Sequence, residues 1–169
     1  MDTILQRKEE KRGINKIFLV GLLIGAVLIA GAIWLLSFQP TSDEQRAKMV
    51  EGFVFEGSPE FEQIFKDIVI STDFDRTTES PTGLGTIQMT VGGKIRNRGT
   101  RTFNGLEVNV AVIDRQNNAL KEKKVIFIPN QQPNLEPQQI IPVTVTFDGF
   151  SKDQERANVR WKVTGLKIQ

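Results

Sequence analysis

The 169-residue chain contains no cysteine, no histidine and no tyrosine. Without cysteine there can be no disulfide framework, no thiolate metal ligand and no lipid-modified cysteine anchor. Any folded domain must be held by packing alone. Without histidine the usual general base near neutral pH is missing, together with the commonest zinc ligand. Ser–His and Cys–His nucleophile pairs are therefore excluded. A carboxylate- or lysine-dependent enzyme is not excluded by composition, but no motif points to one. An excess of one charge is also missing: 22 Lys and Arg face 20 Asp and Glu. Five of the basic residues and three of the acidic ones precede Ile17, so the rest of the chain is neutral by count. A neutral domain argues against a general nucleic-acid binder. The sequence pI near 9.0 reflects the short basic tail. The composition implies no cofactor and no metal.

What is present begins with Ile17 to Leu36, IFLVGLLIGAVLIAGAIWLL, with no charged residue. A helix of about 20 apolar residues spans the hydrocarbon core of a bilayer. The stretch exceeds the apolar core of a secretory signal, and Leu35-Leu36-Ser37-Phe38-Gln39-Pro40 offers no small-x-small cleavage pattern. It reads as an uncleaved signal anchor. Arg7, Lys8, Lys11, Arg12 and Lys16 precede it, whereas Asp43 and Glu44 follow it. Positive flanks stay in the cytoplasm, which places the N-terminus inside and the C-terminal region outside the inner (plasma) membrane. Trp34 and Phe38 fall where an outer aromatic belt belongs. Gly21-x-x-x-Gly25 and Ala26-x-x-x-Ala30 supply the small-residue spacing that lets two membrane helices approach closely, so a homodimer through the span is one expected association.

Four regions follow: a cytoplasmic tail (1–16), a transmembrane helix (17–38), a juxtamembrane connector (39–66) and an extracytoplasmic domain (67–169). In the connector, Ser42 and Gln45 suggest a short capped helix. Ser58-Pro59 marks a second start, with Phe61, Ile64, Phe65 and Ile68 at helical spacing, predicting a helix near 59–66. From Asp67 the period becomes two. Ile68-Val69-Ile70 opens a strand expected to end near Phe74, and 75–85 reads as a loop with breakers at Pro81, Gly83 and Gly85. Ile87, Met89, Val91, Gly93 and Ile95 then alternate with polar residues, as do Leu106, Val108, Val110 and Val112. Asp114 to Asn118 is a hairpin turn, and Val125 and Phe127 point inward on the return strand. Residues 131–138 form a polar loop. Ile141, Val143, Val145 and Phe147 make a strand that starts, or lies at an edge, at Pro142. Val159, Trp161 and Val163 make the last strand, with a bulge expected at Gly165. Alternation in every strand indicates a mainly β, antiparallel sandwich with one wet face per sheet.

The block from Val91 to Phe147 carries a further pattern. Gly93, Ile95, Asn97 and Gly99 are followed by Phe103, then Leu106, Val108, Val110 and Val112, then Asp114 and a polar turn, then Leu135 and Pro137. This pattern resembles the FxLYD-type immunoglobulin-like domains of bacterial membrane-anchored and secreted proteins. Gln138 stands where such domains often carry glycine, and their usual tyrosine is absent. The resemblance implies an immunoglobulin-like β-sandwich that acts in adhesion, spacing or partner docking rather than catalysis. It also gives structural roles to Asn97 and Gly99 in a turn and to Phe103 as a core plug.

Candidate binding features are few. Lys94, Arg96 and Arg98 share an outward strand face, with Arg101 just beyond. Lys121, Lys123, Lys124, Arg160 and Lys162 add charge on other strands. Together they could meet an anionic glycan, a lipid headgroup or an acidic partner. The competing reading is a solvated face whose lysines block edge pairing. Asp73, Asp75 and Glu79 cluster, but calcium needs 6–8 oxygens and no recognised loop spacing is present. The 75–85 and 131–138 loops are equal candidates for a contact surface. The function expected is a membrane-tethered, non-enzymatic binding or scaffolding module of a bacterial envelope, whose partners are the bilayer and other envelope proteins, with no nucleic acid. The alternative is a structural subunit of a larger complex assembled through the membrane helix.

Overall fold

The computed structural model describes residues 16–37 and 42–169. The basic residues of the tail before Lys16, and Phe38, lie outside the described residues. The chain divides into two compact units, one ending at Ala47 and one running from Lys48 to Gln169.

In the first unit, helix α1 covers Lys16–Ser37, 22 residues. At 1.5 Å per residue it is about 33 Å long, enough for a hydrocarbon core of about 30 Å. Its Ile17–Leu35 segment has a mean hydropathy of 2.7, and none of it is buried within the protein. Helix α1 is thus long and apolar enough to cross a membrane. At 100° per residue, Gly21 and Gly25 lie on one side while Ala26 and Ala30 lie roughly 140° away. The expected single small-residue face is therefore two separate patches. A second helix, α2, covers Ser42–Met49.

The second unit is a sandwich of two antiparallel sheets. Its strands are β1 (Val54–Phe55), β2 (Ile68–Pro81), β3 (Ile87–Asn97), β4 (Phe103–Ile113), β5 (Ala119–Ile128), β6 (Ile140–Phe150) and β7 (Asn158–Ile168). One sheet has the order β1-β7-β4-β5 and the other β2-β3-β6. The alternating apolar residues meet between them: Val91 and Ile95 from β3, Leu106, Val108 and Val110 from β4, Phe127 from β5 and Phe150 from β6 are all fully buried. Residues 48–66, read from sequence as a connector, belong to this unit. β1 pairs with β7, and helix α3 (Pro59–Ile64) buries Phe61 and Ile64. Ser58 caps α3 by accepting a hydrogen bond from the Phe61 N–H, with Pro59 in the first turn. A 3₁₀ turn, Phe65–Asp67, then leads into β2.

Two expectations need correction. The segment 75–85 is not a loop: β2 continues to Pro81, and Thr78–Pro81 pairs with Ile87–Thr90. The strand survives because the irregularity is confined to a bulge between Asp73 and Thr78. There the Thr77 hydroxyl donates to the Asp73 carbonyl (2.8 Å) and accepts from the Gly92 N–H (3.1 Å), satisfying the backbone the bulge unpairs. Only Thr82–Thr86 forms the turn. The segment 131–138 is the polar loop expected from sequence, and it is pinned in place. Phe103 and Leu135 exchange both backbone hydrogen bonds, and the Gln131 amide bonds both the N–H and the C=O of Thr144. Leu135 is fully buried. The second correction concerns the basic residues and follows from the site geometry.

A candidate binding groove at the mouth of the sandwich

The pleat decides where each charge goes. On β3, Lys94 and Arg96 project from the outer face of the three-stranded sheet, between β2 and β6. On β7, Arg160 and Lys162 project from the outer face of the four-stranded sheet, level with Ala111 and Asn109 of β4. The two sets lie on opposite sides of the sandwich and cannot form one anion-binding face. Lys121 and Lys123 fall on the side of β5 that faces the other sheet. The Lys121 ammonium lies 5.5 Å from the centre of the Phe150 ring, a cation–π contact. Lys94 is neutralised by the buried Asp73 carboxylate at 3.0 Å. Arg96 remains between Val69 and Ile140, and exposed Arg98 and Arg101 flank the turn after β3. Asp73 and Glu79 are each engaged by a cation, Lys94 and Arg156 respectively. No group of three acidic residues is arranged to hold a metal among the described residues.

The groups with shifted pKa values serve turns and clamps. Glu79 is held below the usual carboxylate range by its hydrogen bonds from Arg156, whose own value is raised in return. Asp114 is lowered by hydrogen bonds from Asn118, and Asp153 by one from Ser151.

The concave feature lies elsewhere, where the sandwich opens between β7 and β2. β1 is only two residues long and covers β7 only at Gly165 and Leu166. Its placement depends on glycines: a Cβ on Gly105 would collide with the Phe53 ring, and one on Gly165 would come within 3.0 Å of Phe55. The stacked Phe53 and Phe55 rings (6.2 Å between centres) therefore lie directly on the sheet. After Glu56 donates its N–H to the Thr164 carbonyl, Gly57 turns the chain away at φ +93°. Helix α3 then closes only part of the gap. What remains is a half-open cavity of about 300 Å³, walled by Phe61, Phe65, Ile68, Ile70, Trp161 and Val163, with Glu56, Glu62 and Lys162 also lining it.

Trp161 forms its back wall and is held from three directions. Its indole N–H donates to the Thr72 hydroxyl across the mouth at 2.9 Å. Its ring packs 6.3 Å from Phe127 and against Gly93, where an added Cβ would come within 2.8 Å of it. Phe65 stacks almost parallel to Phe61 at 5.4 Å, which presents an aromatic wall beside it. Lys162 pairs with Glu56 at 2.7 Å. An apolar cleft of this size with a few charges nearby suits recognition of an apolar side chain within a polar context. The sequence announced its parts, the helix at 59–66 and the Trp161 strand, but not that they adjoin.

No protein-family model matches the sequence, and no curated protein does. Among solved structures, the fold shows similarity to a Bordetella pertussis protein designated ApaA, with 16% identity, a TM-score of 0.36 and coverage of 48% of this chain and 67% of that one. It also shows similarity to the Salmonella enterica trimeric lipoprotein SadB, with 12% identity, a TM-score of 0.34 and coverage of 91% and 78%. At these scores neither likeness bears on what the chain does.

Proposed function

We propose that this chain is a membrane-tethered, non-enzymatic protein-binding module of a bacterial cell envelope. On this reading α1 spans the inner membrane once, the basic tail stays in the cytoplasm, and the sandwich recognises other envelope proteins outside. Tethering near the bilayer raises the effective concentration of the sandwich towards membrane-bound partners. The observation that carries the reading is the half-open aromatic cavity between β7 and β2, set beside a length of β7 that no strand covers among the described residues. We further propose an immunoglobulin-like domain of FxLYD type. The order β7-β4-β5 opposite β2-β3-β6 supports this, because it matches the F-C and A-B-E neighbours of such sandwiches, with β1 beside β7.

The test is site-specific photo-crosslinking of the full-length protein in its native membrane. Crosslinkers at Phe65 and at Gly25 are expected to separate the two associations. Capture of another envelope protein from position 65 supports docking through the sandwich. Capture from position 25 alone overturns it in favour of a structural subunit assembled through the span.

A further inference from the structure

A β-sandwich that is not a closed barrel has strand edges, and each edge must be protected from pairing with other chains. Here three of the four are. β6 carries Pro142, which has no N–H to donate, and Gln131 bonds both the N–H and the C=O of Thr144 on it. β5 carries Lys121 and Lys123 on its inward side, and inward charges are one of the established devices for protecting an edge. β2 is bulged between Asp73 and Thr78. β7 is different. β1 covers it at Gly165 and Leu166, and Asn158 to Val163 continues with no proline, no bulge and no covering strand among the described residues. The Thr164 carbonyl points to the β1 side, where it accepts from Glu56. The pairing with β4 skips Thr164, which shifts the alternation by one residue. Beyond it the backbone groups of Val163, Trp161 and Val159 point to the open side, while those of Lys162 and Arg160 face Asn109 and Ala111 of β4. This open edge runs along the aromatic cavity.

We infer that this edge pairs with an extended strand of a partner protein. The strand continues the four-stranded sheet beyond β1, sets a carboxylate opposite Arg160, and inserts an apolar side chain between Trp161 and Phe65. The inference rests on the binding-module reading and names the kind of partner.

Charge selects the occupant. Arg160 and Lys162 project outward along the edge, and Lys124 continues the positive row across Asn109. Glu56, on the segment that leaves this edge, already places a carboxylate 2.7 Å from Lys162. An acidic neighbour is thus the kind of residue the edge accepts. A second copy fits poorly: two β7 edges paired antiparallel about Trp161 would set Arg160 against Lys162 twice, and like charges directly opposite are destabilising. The tail of this chain, with Arg7, Lys8, Lys11 and Arg12, has the wrong sign.

The experiment uses the full chain in detergent and a fluorescein-labelled ten-residue peptide of alternating Glu and Leu, read by fluorescence anisotropy. Saturable binding is expected. Methylating the peptide's backbone nitrogens at alternate positions leaves every side chain in place but blocks pairing in one register. Of the two methylated peptides, at least one should bind tenfold more weakly or worse. Val163→Pro, which removes an N–H on the open side, should weaken binding at least tenfold relative to Val163→Ala. Arg160→Glu should weaken the Glu peptide and favour a Lys-Leu counterpart. Thermal melting of each variant checks that the fold persists.

Three outcomes overturn the inference. The Glu-Leu peptide does not bind. Binding ignores both methylation and Val163→Pro, the mark of an apolar molecule filling the cavity alone. Or the full chain self-associates and Val163→Pro abolishes that, which makes the occupant a second copy. If the position-65 crosslink still captures a partner when the peptide assay fails, the binding-module reading stands and only strand pairing falls.

Discussion

Asn97 shows how much one buried amide can organise. It is fully buried, and its side-chain N–H groups donate to the carbonyls of Arg101 (2.7 Å), Glu136 (3.0 Å) and Leu135 (3.3 Å). Its carbonyl oxygen accepts from the Gly99 N–H at 2.9 Å. One side chain therefore ties the turn after β3 to the segment before β6. Gly99 has no room for a Cβ, because the Asp67 carboxylate occupies that space. Leaving buried backbone groups unpaired is expensive, so Asn97→Ala should destabilise the sandwich by about 2–4 kcal/mol, read as a lower urea midpoint of the full chain. A change below about 0.5 kcal/mol would mean that water or a neighbour replaces the amide without loss. Gln138 belongs to the same corner. It adopts φ +63°, a left-handed conformation that favours glycine, and its side-chain amide donates to the Arg98 carbonyl at 2.8 Å. The position combines a backbone geometry that favours glycine with a hydrogen bond that glycine could not make.

At the scale of elements, the far end of the β2–β3 hairpin is fastened to the chain between β6 and β7 by one arginine. Arg156 pairs with both Glu79 oxygens, at 2.8 and 2.9 Å. It also donates to the carbonyls of Ser151 and Gln154 and lies 5.6 Å from the centre of the Phe150 ring. Glu79 is substantially exposed, so solvent screening limits the pair to about 0.5–1 kcal/mol even though its geometry is bidentate. Because the folded pKa of Glu79 is depressed, this contribution is complete above the ordinary glutamate range, about pH 4.3. It disappears as pH falls through the lower native value. Glu79→Gln should therefore lower the melting temperature at pH 7, and the gap to wild type should close below about pH 4. A gap that stayed constant with pH would assign the effect to packing and not to charge. The hairpin between β4 and β5 follows the same logic on a smaller scale. Asp114 accepts from the Asn118 N–H at 2.8 Å, and Asn117 supplies the positive φ (+66°) that the turn requires.

At the scale of the whole molecule, the decisive element is α1. A charge at the centre of a spanning helix costs about 2.5–3.5 kcal/mol on insertion scales. The full chain should remain with the membrane after alkaline carbonate extraction, and Leu28→Arg should shift a measurable fraction into the supernatant. A wild-type chain released by carbonate would remove the membrane anchor from the proposed function. The sandwich carries its charges on two opposite faces, Lys94 and Arg96 on one and Arg160 and Lys162 on the other. A partner approaching from a given side meets one set alone.

Much of this was readable from residue order. The apolar run of α1, the longer strands apart from the second half of β2, the turn at Asp114–Asn118 and the bulge beside Gly165 follow from local patterns, because hydrophobic period, turn chemistry and bilayer thickness act over a few residues. Between Val108 and Glu107 the pairing with β7 skips Thr164, next to the glycine that marked the bulge. Other features were decided only when the chain closed on itself. Thr77 rescues β2 by bonding Gly92, fifteen residues away, so the part of the loop reading up to Pro81 lies inside a strand. Phe53 and Phe55 rest on Gly105 and Gly165, a contact that no pattern in the 48–57 segment announces. The cavity between α3, β2 and β7 likewise joins residues about a hundred positions apart. A strand's own alternation tells which side chains share its face. Which sheet the strand joins, and so which faces meet, depends on the pairing of distant segments. For that reason the basic residues, legible one by one, could be assigned to opposite sides only by the tertiary structure.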